Sequence, residues 1–274
     1  MNLSNKNILI TGASSGIGYQ LSKDLAKEGA NLALLARRKN ILDDLAEELK
    51  SFSTKIITAQ CDVTSKESVK NAFDFVKKEF SSIDIAILNS GASFRMSIEE
   101  FDTEHLEEII NVNFMGLVYC LNEIIPEFIK RKDGCIVGIS SLSDSRGFPR
   151  SAAYCSSKAA ASIFLESIRI ELKKYNIKVI TVKPGFVKTP MTDKNEFRMP
   201  FLMNVEKASK IILNGIKKEK NIIQFPLPTV WGAKLLKILP DSLFNYFSNL
   251  PLPQKNNKQM MCPLIILFRL SKQV

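Results

Sequence analysis

Two side chains that could together perform acid–base chemistry stand four residues apart, Tyr154 and Lys158, in the stretch SAAYCSSKAAAS at 151–162. A tyrosine hydroxyl has a pKa of about 10, too high for efficient proton transfer near neutral pH, and a nearby ammonium favours the phenolate. Spacing of four places both side chains on one helical face. The same spacing is also typical of the polar stripe on an alanine-rich packing helix, so the pair alone leaves both interpretations open.

Rigid elements must position such a pair, and apolar runs of strand length alternate with amphipathic helical patterns along the chain. These runs lie at 7–11, 31–37, 55–63, 84–91, 135–141, 178–185 and 221–225. Near-continuous hydrophobicity is typical of parallel strands that are buried on both faces. The pattern predicts an α/β fold: one doubly wound, Rossmann-type domain over 1–226, with a parallel sheet of about seven strands. An amphipathic, basic extension over 227–274 follows and is not predicted to be an independent domain.

A glycine-rich segment, TGASSGIG at 11–18, follows the first predicted strand and precedes a helical pattern. Gly12 permits a tight turn, Gly16 lets the backbone approach a phosphate, and Gly18 lets the helix pack closely on the sheet. In this context the segment predicts a dinucleotide site at a helix N-terminus. Its predicted cofactor contacts are Gly12, Ser14, Ser15, Gly16, Ile17 and Gly18.

The end of the second predicted strand indicates which dinucleotide is bound. Dinucleotide folds that use NAD carry an acid there for the ribose 2′-OH, whereas an arginine accommodates a 2′-phosphate. Here the strand ends in LLARRKN, with Arg37 and Arg38 at its tip and no acid before Asp43. NADP(H) is therefore predicted as the preferred cofactor, with NAD(H) as the alternative. The other interpretation is that the two arginines only solvate a loop.

Seven motifs in this order resemble the short-chain dehydrogenase/reductase family, and the resemblance spans nearly the whole predicted sheet domain. They are TGASSGIG, CDVT at 61–64, NSGA at 89–92, NVNFMG, GISS, YCSSK and KPGFVKT. NSGA stands where the family commonly has Asn-Asn-Ala-Gly, and it departs from that pattern at Ser90 and Gly91. Ser141 precedes Tyr154 by thirteen residues, which is the family's spacing.

The resemblance implies a role for each matching residue. Tyr154 would exchange a proton with the substrate oxygen, Lys158 would lower its pKa and contact the nicotinamide ribose, and Ser141 would hydrogen-bond the substrate oxygen. Asn113 would hold a water that passes protons towards solvent. Ser140 or Ser143 could instead supply the hydroxyl. The cofactor contacts that the resemblance adds are Asp62 and Val63 at the adenine, Asn89 and Gly91, Tyr154 and Lys158, and Pro184, Gly185, Val187 and Thr189.

Composition argues against several other classes of function. The five cysteines have no paired spacing and the only histidine, His105, lies in a polar run, so neither a metal site nor a Ser-His-Asp triad is expected. Unpaired cysteines and the lack of a secretory signal pattern predict a cytoplasmic protein. No run reaches the roughly 18 apolar residues that span a bilayer. The net charge is +10, of which +8 lies from Val205 onward, which argues against a nucleic-acid surface across the domain.

The remaining patterns concern the substrate and the partners. The loops after the strands carry Phe94, Met96, Phe148, Phe186 and the run 196–203, which favours a lipophilic carbonyl or alcohol over the alternative of ordinary loop packing. The extension predicts two short amphipathic helices that pack on protein or contact a membrane peripherally. The alanine-rich helix favours a homodimer or homotetramer. Together these patterns predict an NADP(H)-dependent oxidoreductase; the alternatives are a non-catalytic NADP(H) sensor or scaffold, or isomerase, epimerase or dehydratase chemistry on the same fold.

Overall fold

The computed structural model describes residues 1–52 and 54–248, without the side chain of Phe247. Within those ranges seven strands form one parallel sheet in the order β3-β2-β1-β4-β5-β6-β7. The predicted α/β fold with a seven-stranded parallel sheet is therefore confirmed. The strands are β1 Asn7–Thr11, β2 Asn31–Ala36, β3 Ile56–Gln60, β4 Ile85–Leu88, β5 Gly134–Ile139, β6 Ile177–Pro184 and β7 Ile222–Phe225.

Helices cover both faces of the sheet because successive side chains of each strand point to opposite sides. In β1, Ile8 and Ile10 pack in the core layer that holds helices α1, α2 and α8, whereas Leu9 packs in the layer of α3, α5 and α6. The helices in the described residues are α1 Gly16–Lys27, α2 Lys39–Leu49, α3 Lys66–Phe80, α4 Thr103–Ile110, α5 Gly116–Arg131, α6 Ala152–Leu172, α7 Pro190–Asp193, α8 Val205–Lys217, α9 Leu227–Ile238 and α10 Asp241–Ser248.

The strand order reverses between β1 and β4, where the chain crosses from β3 back to the centre of the sheet. In doubly wound folds the crevice at such a switch point, beyond the carboxyl ends of the strands, is where ligands bind. The loops that follow β1, β2, β4, β5 and β6 all leave the sheet at this edge. The fold thus brings the predicted site residues to one side of the molecule.

A continuous helical segment, Thr103–Arg131, joins α4 to α5 through a π turn at Asn111–Met115. It contains an 18-residue window of mean hydropathy 1.3, long and apolar enough to cross a bilayer by length and composition. The expectation that no segment reaches this limit was therefore too strict. Leu121, Ile124 and Phe128 of α5 are buried in the core layer shared with α3 and α6, so this segment is a helix of the protein core.

The extension contains the two short helices that its pattern predicts, α9 and α10. Val230 and Leu236 of α9 and Phe244 of α10 are buried, so both helices pack on the protein through one side. The basic segment that follows, including the apolar LIILF, lies outside the described residues. The domain boundary at residue 226 stays a prediction.

Candidate active site

A cleft of about 410 Å³ opens at the carboxyl edge of the sheet and brings most of the predicted site residues together. Two predicted residues lie outside its lining: Gly18 in the first turn of α1 and Asn113, which is buried beneath it. The predicted residues that line the cleft are Gly12, Ser14, Ser15, Gly16, Ile17, Arg37, Arg38, Asp62, Val63, Asn89, Gly91, Ser141, Tyr154, Lys158, Pro184, Gly185, Val187 and Thr189.

The glycine loop has the backbone that a phosphate cradle requires. Gly12 and Gly16 have φ of 67° and 58°, which a side chain would strain. A Cβ at Gly18 would lie 2.5 Å from Asn89 Nδ2 and 2.6 Å from the Gly12 carbonyl oxygen. Helix α1 begins at Gly16, and its N-cap residue Ser15 makes no side-chain capping bond. The helix N-terminus can therefore direct backbone N–H groups towards an anion, which fits a dinucleotide pyrophosphate.

Asn89 holds this loop against the neighbouring strand. Its Nδ2 donates to the carbonyl oxygens of Thr11 and Gly12 at 3.1 and 3.2 Å, and its backbone N–H donates to Thr11 Oγ1 at 3.0 Å. The end of β4 is thereby tied to the end of β1. Although NSGA departs from the family pattern, its asparagine takes a structural position beside the glycine loop.

Two arginines stand at the tip of β2 beside the glycine loop. Arg37 and Arg38 are exposed and line the cleft, and Arg38 Nη2 donates to Ser14 Oγ at 3.0 Å. Asp62 also lines the cleft, but its Oδ1 accepts hydrogen bonds from the N–H and Oγ1 of Thr64 at 3.0 and 2.8 Å. The arginine tip therefore presents positive charge to the cleft beside the glycine loop.

Lys158 is the charged group at the base of the cleft. Its side chain is buried, at 4% exposure, and Nζ donates to the Ile139 carbonyl oxygen at 2.9 Å. Nζ lies 5.9 Å from the centre of the Tyr154 ring. The described residues place no carboxylate in an ion pair with it. Burial lowers the pKa of Lys158 to about 8, because a low-dielectric environment disfavours the ammonium.

Burial also dominates the pKa of Tyr154 and raises it, whereas the hydrogen bond with Ser141 lowers it by less. This differs from the expectation that Lys158 lowers the tyrosine pKa. Desolvation disfavours the charged forms of both groups, so the phenolate and the ammonium are each less favoured in the cleft. The geometry of the pair matches the prediction, while the direction of the tyrosine shift does not.

Asn113 sits in the π turn, a helical distortion that is frequent at functional sites. Its Oδ1 accepts from the Ala92 N–H at 2.7 Å, and its Nδ2 donates to the Ala92 carbonyl oxygen and to Ser157 Oγ, both at 2.9 Å. A Cβ built on Gly91 would lie 3.3 Å from Asn113 Oδ1 and 3.5 Å from Lys158 Nζ. Asn113 therefore braces the loop after β4 next to the Lys158 ammonium.

Ser141 is the serine whose position fits the predicted role. It lines the cleft, hydrogen-bonds Tyr154, and its Oγ accepts from the Ser143 N–H at 3.1 Å. Ser140 also lines the cleft, but its Oγ donates to the Lys158 carbonyl oxygen at 2.9 Å. Ser143 is not part of the cleft lining. The geometry thus favours Ser141 over the two alternatives.

A buried polar network behind Ser141 was not predicted from the sequence. Lys183 Nζ, on β6, lies 2.6 Å from Asp144 Oδ2, and both side chains are largely buried. Ser162 Oγ, on α6, contacts that same carboxylate oxygen and lies 2.7 Å from Ser140 Oγ. The network joins β6, α6 and the turn after Ser141. Its one sequence signal is Lys183, a charge at the carboxyl end of a largely apolar strand, where a buried ammonium requires a partner.

We expect Lys183→Met to lower the free energy of unfolding by about 3–5 kcal/mol, because it leaves the buried carboxylate of Asp144 without its cation. Urea denaturation followed by circular dichroism measures this. The matched control is Lys178→Met on the same strand, whose ammonium pairs with Glu219 at 3.3 Å between two exposed side chains. That change should cost about 1 kcal/mol or less. Equal losses in the two variants would contradict a structural role for the Lys183–Asp144 pair.

The loops around the mouth contain aromatic contacts and one unusual arginine. Phe186 and Phe197 meet edge to face at 5.8 Å, and Arg95 lies over the Phe197 ring at 4.6 Å. Burial, and then the nearby charge of Arg150, lower the pKa of the Arg95 guanidinium. Phe148 packs against Phe244 of α10 at 6.0 Å. None of these residues is among those that line the cleft, so the aromatic contacts lie in the loops beside it.

His105 and the cysteines have the positions expected of residues outside the chemistry. His105 is exposed on α4, where its Nδ1 lies 2.6 Å from Asp102 Oδ2 and its ring stacks on Phe94 at 4.6 Å. Cys61, Cys120, Cys135 and Cys155 are free and buried, and burial raises the pKa of each thiol. Cys155 thus packs beside Tyr154 as a small buried residue. Cys262 lies outside the described residues.

Comparison with known proteins decides the family. A family model described as short chain dehydrogenase matches residues 6–199. The chain belongs to this family. It is therefore an oxidoreductase that acts on CH–OH groups, and the family's cofactor is a nicotinamide dinucleotide. The glycine loop, the arginine tip and the cleft described above are the parts of the chain that fit this cofactor.

Relatives of the short-chain dehydrogenase family match most of the chain. An 11-beta-hydroxysteroid dehydrogenase-like 3 protein of Arabidopsis thaliana is 35% identical over 247 residues, which are 88% of this chain and 79% of the relative. A fatty acyl-CoA reductase of Acinetobacter baylyi is 31% identical over 81% of this chain and 76% of its own. A short-chain dehydrogenase from Sphingobium yanoikuyae in complex with NADPH superposes with a TM-score of 0.75, at 26% identity over 86% of this chain and 97% of that one.

Proposed function

We propose that this protein is an NADP(H)-dependent oxidoreductase that interconverts a ketone or aldehyde and the corresponding alcohol on a lipophilic substrate, with Tyr154 as the acid–base group. The observation that carries the proposal is the meeting of Tyr154, Lys158 and Ser141 in the same cleft as the glycine loop. A dinucleotide cleft alone would suit a nucleotide sensor. A tyrosine, a lysine and a serine at its base supply the groups that carbonyl reduction needs.

The preference for NADP(H) is supported by the arginine tip of β2. Arg38 is held beside the glycine loop by Ser14, so its guanidinium is placed before any ligand arrives. Arginine binds phosphate through two parallel charge-assisted hydrogen bonds. No acid stands at this tip to bind a ribose 2′-OH. The relative from Sphingobium yanoikuyae, which was solved with NADPH, is consistent with this preference.

The chain's own residues would place the substrate and move the proton. When bound, the nicotinamide supplies a hydride to the carbonyl carbon or accepts one from the alcohol carbon. In the reductive direction the Tyr154 hydroxyl gives its proton to the carbonyl oxygen as negative charge develops there. Ser141 donates a hydrogen bond to the same oxygen, which is preorganised electrostatic stabilisation. The positive charge of Lys158 then stabilises the phenolate that remains on Tyr154 until a proton from solvent replaces the one transferred.

A lipophilic substrate is supported by the aromatic loops beside the cleft and by two relatives. The loops after β4, β5 and β6 contribute Phe94, Phe148, Phe186 and Phe197, and the cleft lining includes Met191. The relatives are named for a hydroxysteroid dehydrogenase-like protein and for a fatty acyl-CoA reductase. Both names refer to large apolar carbon skeletons.

A series of straight-chain ketones and aldehydes, followed by the absorbance of NADPH, tests the proposal. We expect kcat/KM to rise by about fourfold for each added methylene until the pocket is filled, because burying one CH₂ contributes about 0.8 kcal/mol. A small hydrated ketone such as dihydroxyacetone is the control and should be a poor substrate. A flat or falling series would contradict a lipophilic pocket. Tight NADPH binding without turnover of any carbonyl would favour the sensor alternative.

Self-association and location remain predictions. Helix α6 exposes Ile163 and Ile170, two turns apart, on the side away from Lys158. An exposed apolar pair on a long helix supports the predicted homodimer or homotetramer. A cytoplasmic location is the expectation drawn from the cysteine pattern alone.

A further inference from the structure

Helix α9 has an apolar face that the rest of the described protein leaves uncovered. Leu227, Trp231 and Ile238 are 69%, 63% and 78% exposed. With 3.6 residues per turn, spacings of four and eleven place these three side chains on the same side of the helix. Leu236, on the opposite side, and Val230, at the flank of this face, are buried. The helix therefore carries large apolar side chains both on the side that packs on the protein and on the side that is exposed.

The exposed face is also basic. Lys234 lies between Trp231 and Ile238 along the face, and its Nζ is 5.3 Å from the centre of the Trp231 ring. Lys237 is exposed nearby, and α9 contains no acidic residue. From Val205 onward the chain carries eleven Lys or Arg and three acids, and the last 26 residues add four of those bases and no acid. A partner for this face should therefore be negatively charged and accept large apolar side chains.

Helix α10 attaches the extension to the loop that follows β5. Phe244 of α10 is buried, packs edge to face on Phe148 and lies under the Arg146 guanidinium at 4.1 Å. Arg146 also pairs with Asp241 at 2.9 Å. Because Arg146 and Phe148 belong to the loop after β5 that begins with Ser140 and Ser141, the extension is attached beside the active-site mouth. These contacts attach α10 to the protein, and the buried Val230 and Leu236 of α9 leave the other face of that helix outward.

We propose that the exposed face of α9 docks on the surface of a lipid bilayer that contains anionic lipid. A helix that carries tryptophan, leucine and isoleucine with lysines among them lies in the plane of a membrane interface. The lysines are attracted by the negative surface potential, and the apolar side chains enter the boundary of the acyl region. A second copy of the chain is a poorer partner, because a two-fold contact through this face would bring identical lysines together. Docking would place the active-site mouth next to a source of lipophilic substrate.

Trp231 is the only tryptophan in the chain, so its fluorescence reports directly on this helix. The test mixes the full-length protein with vesicles of phosphatidylcholine containing 30% phosphatidylglycerol, and with vesicles of phosphatidylcholine alone. We expect co-sedimentation and a blue shift of tryptophan emission with the anionic vesicles, and much weaker effects with the neutral ones. Both effects should decrease in 0.5 M salt, which screens the charges.

The charge-reversed variant Lys234→Glu/Lys237→Glu should bind anionic vesicles at least about 30-fold more weakly, since losing each lysine near the surface costs about a fivefold factor and reversing its charge costs more. The matched control is Lys207→Glu/Lys210→Glu, which makes the same change of charge on exposed positions of α8 and should bind nearly as the wild type does. NADPH turnover of a water-soluble substrate should be unchanged in both variants, so failure of this proposal is distinguishable from failure of the proposed function.

Several outcomes would overturn the membrane proposal. They are an absence of co-sedimentation, equal loss of binding in the two variants, and co-sedimentation without a shift of Trp231 emission, which would assign the contact to another part of the chain. A blue shift on raising the protein concentration without vesicles, together with a doubled mass by light scattering, would instead assign this face to contact between copies.

Discussion

Tyr154→Phe should lower kcat/KM by about 10²- to 10⁴-fold while the dissociation constant for NADPH changes by less than about threefold. The substitution removes the hydroxyl that transfers the proton, and positioned acid–base groups typically contribute factors of this size. The phenyl ring keeps the packing of the cleft and its contact with Lys158. Steady-state turnover with NADPH and a fluorescence titration of the cofactor measure the two quantities separately.

The matched control is Tyr175→Phe. Tyr175 lies in the 3₁₀ turn Lys173–Tyr175 that follows α6, at the end of that helix opposite Tyr154, and is not among the residues that line the cleft. Its loss of a hydroxyl should leave kcat/KM unchanged within about twofold. Undiminished turnover in Tyr154→Phe would remove Tyr154 from the mechanism. A parallel loss in both variants would point to a general effect on folding.

The second large effect is expected at the tip of β2. Arg38→Gln should raise KM for NADPH by about 10- to 150-fold and leave KM for NADH nearly unchanged, so that the preference between the two cofactors disappears. A hydrogen bond to a charged partner contributes about 1.5–3 kcal/mol, which corresponds to this range. Initial rates with each cofactor at a fixed carbonyl concentration give both values.

Lys39→Gln, one residue further along, is the matched control for Arg38→Gln. Lys39 is exposed and its Nζ is held by Asp43 at 2.7 Å, so its removal changes the charge near the cleft without removing a group beside Ser14. KM for NADPH should then change by less than about twofold. Equal effects of the two substitutions would mean that the tip acts through its overall charge. Equal KM values for NADPH and NADH in the wild type would contradict the role given to Arg38.

The apolar pattern predicted all seven strands, but it extended several of them beyond their carboxyl ends. The run at 55–63 ends as a strand at Gln60, and the run at 84–91 ends at Leu88. Cys61 and Val63 are buried like strand residues, yet they turn away from the sheet to line the cleft. Hydrophobicity reports burial and not hydrogen bonding between strands, so it cannot locate the point at which a strand becomes a binding loop.

The residues that meet in the cleft could be predicted because their spacing is local or belongs to a family pattern, whereas the buried network has neither kind of spacing. Lys183 and Asp144 are 39 residues apart and meet only because β6 lies beside β5 and the turn that follows it. The direction of the Tyr154 pKa shift likewise depends on how deeply the fold buries the ring. The sequence predicts which chemical groups meet in the cleft, whereas the pKa of each group depends on how the fold packs around it.

The amphipathic pattern of the extension predicted two helices but not which side of each meets the protein. In α9 the residues on both sides are large and apolar, so periodicity alone does not distinguish the inner face from the outer one. The contacts of Phe244 with Arg146 and Phe148 settle the inner face of α10. From the sequence, packing on protein and contact with a membrane were alternatives for this extension. In the structure the two are compatible, because packing on the protein leaves the outer face of α9 available for a second partner.

Burial of the Lys158 ammonium links the stability of the protein to pH. The native protein loses this proton near pH 8, whereas the unfolded chain holds it up to the ordinary lysine pKa of 10.5. Between these values the unfolded state binds more protons, so the free energy of unfolding rises with pH, and below pH 8 the full cost of the buried charge is present. At neutral pH the buried ammonium of Lys158 therefore lowers the free energy of unfolding of the protein. Selection for thermal stability alone would favour an apolar side chain at position 158. The resulting protein would have a higher free energy of unfolding but would lack the lysine of the proposed active site.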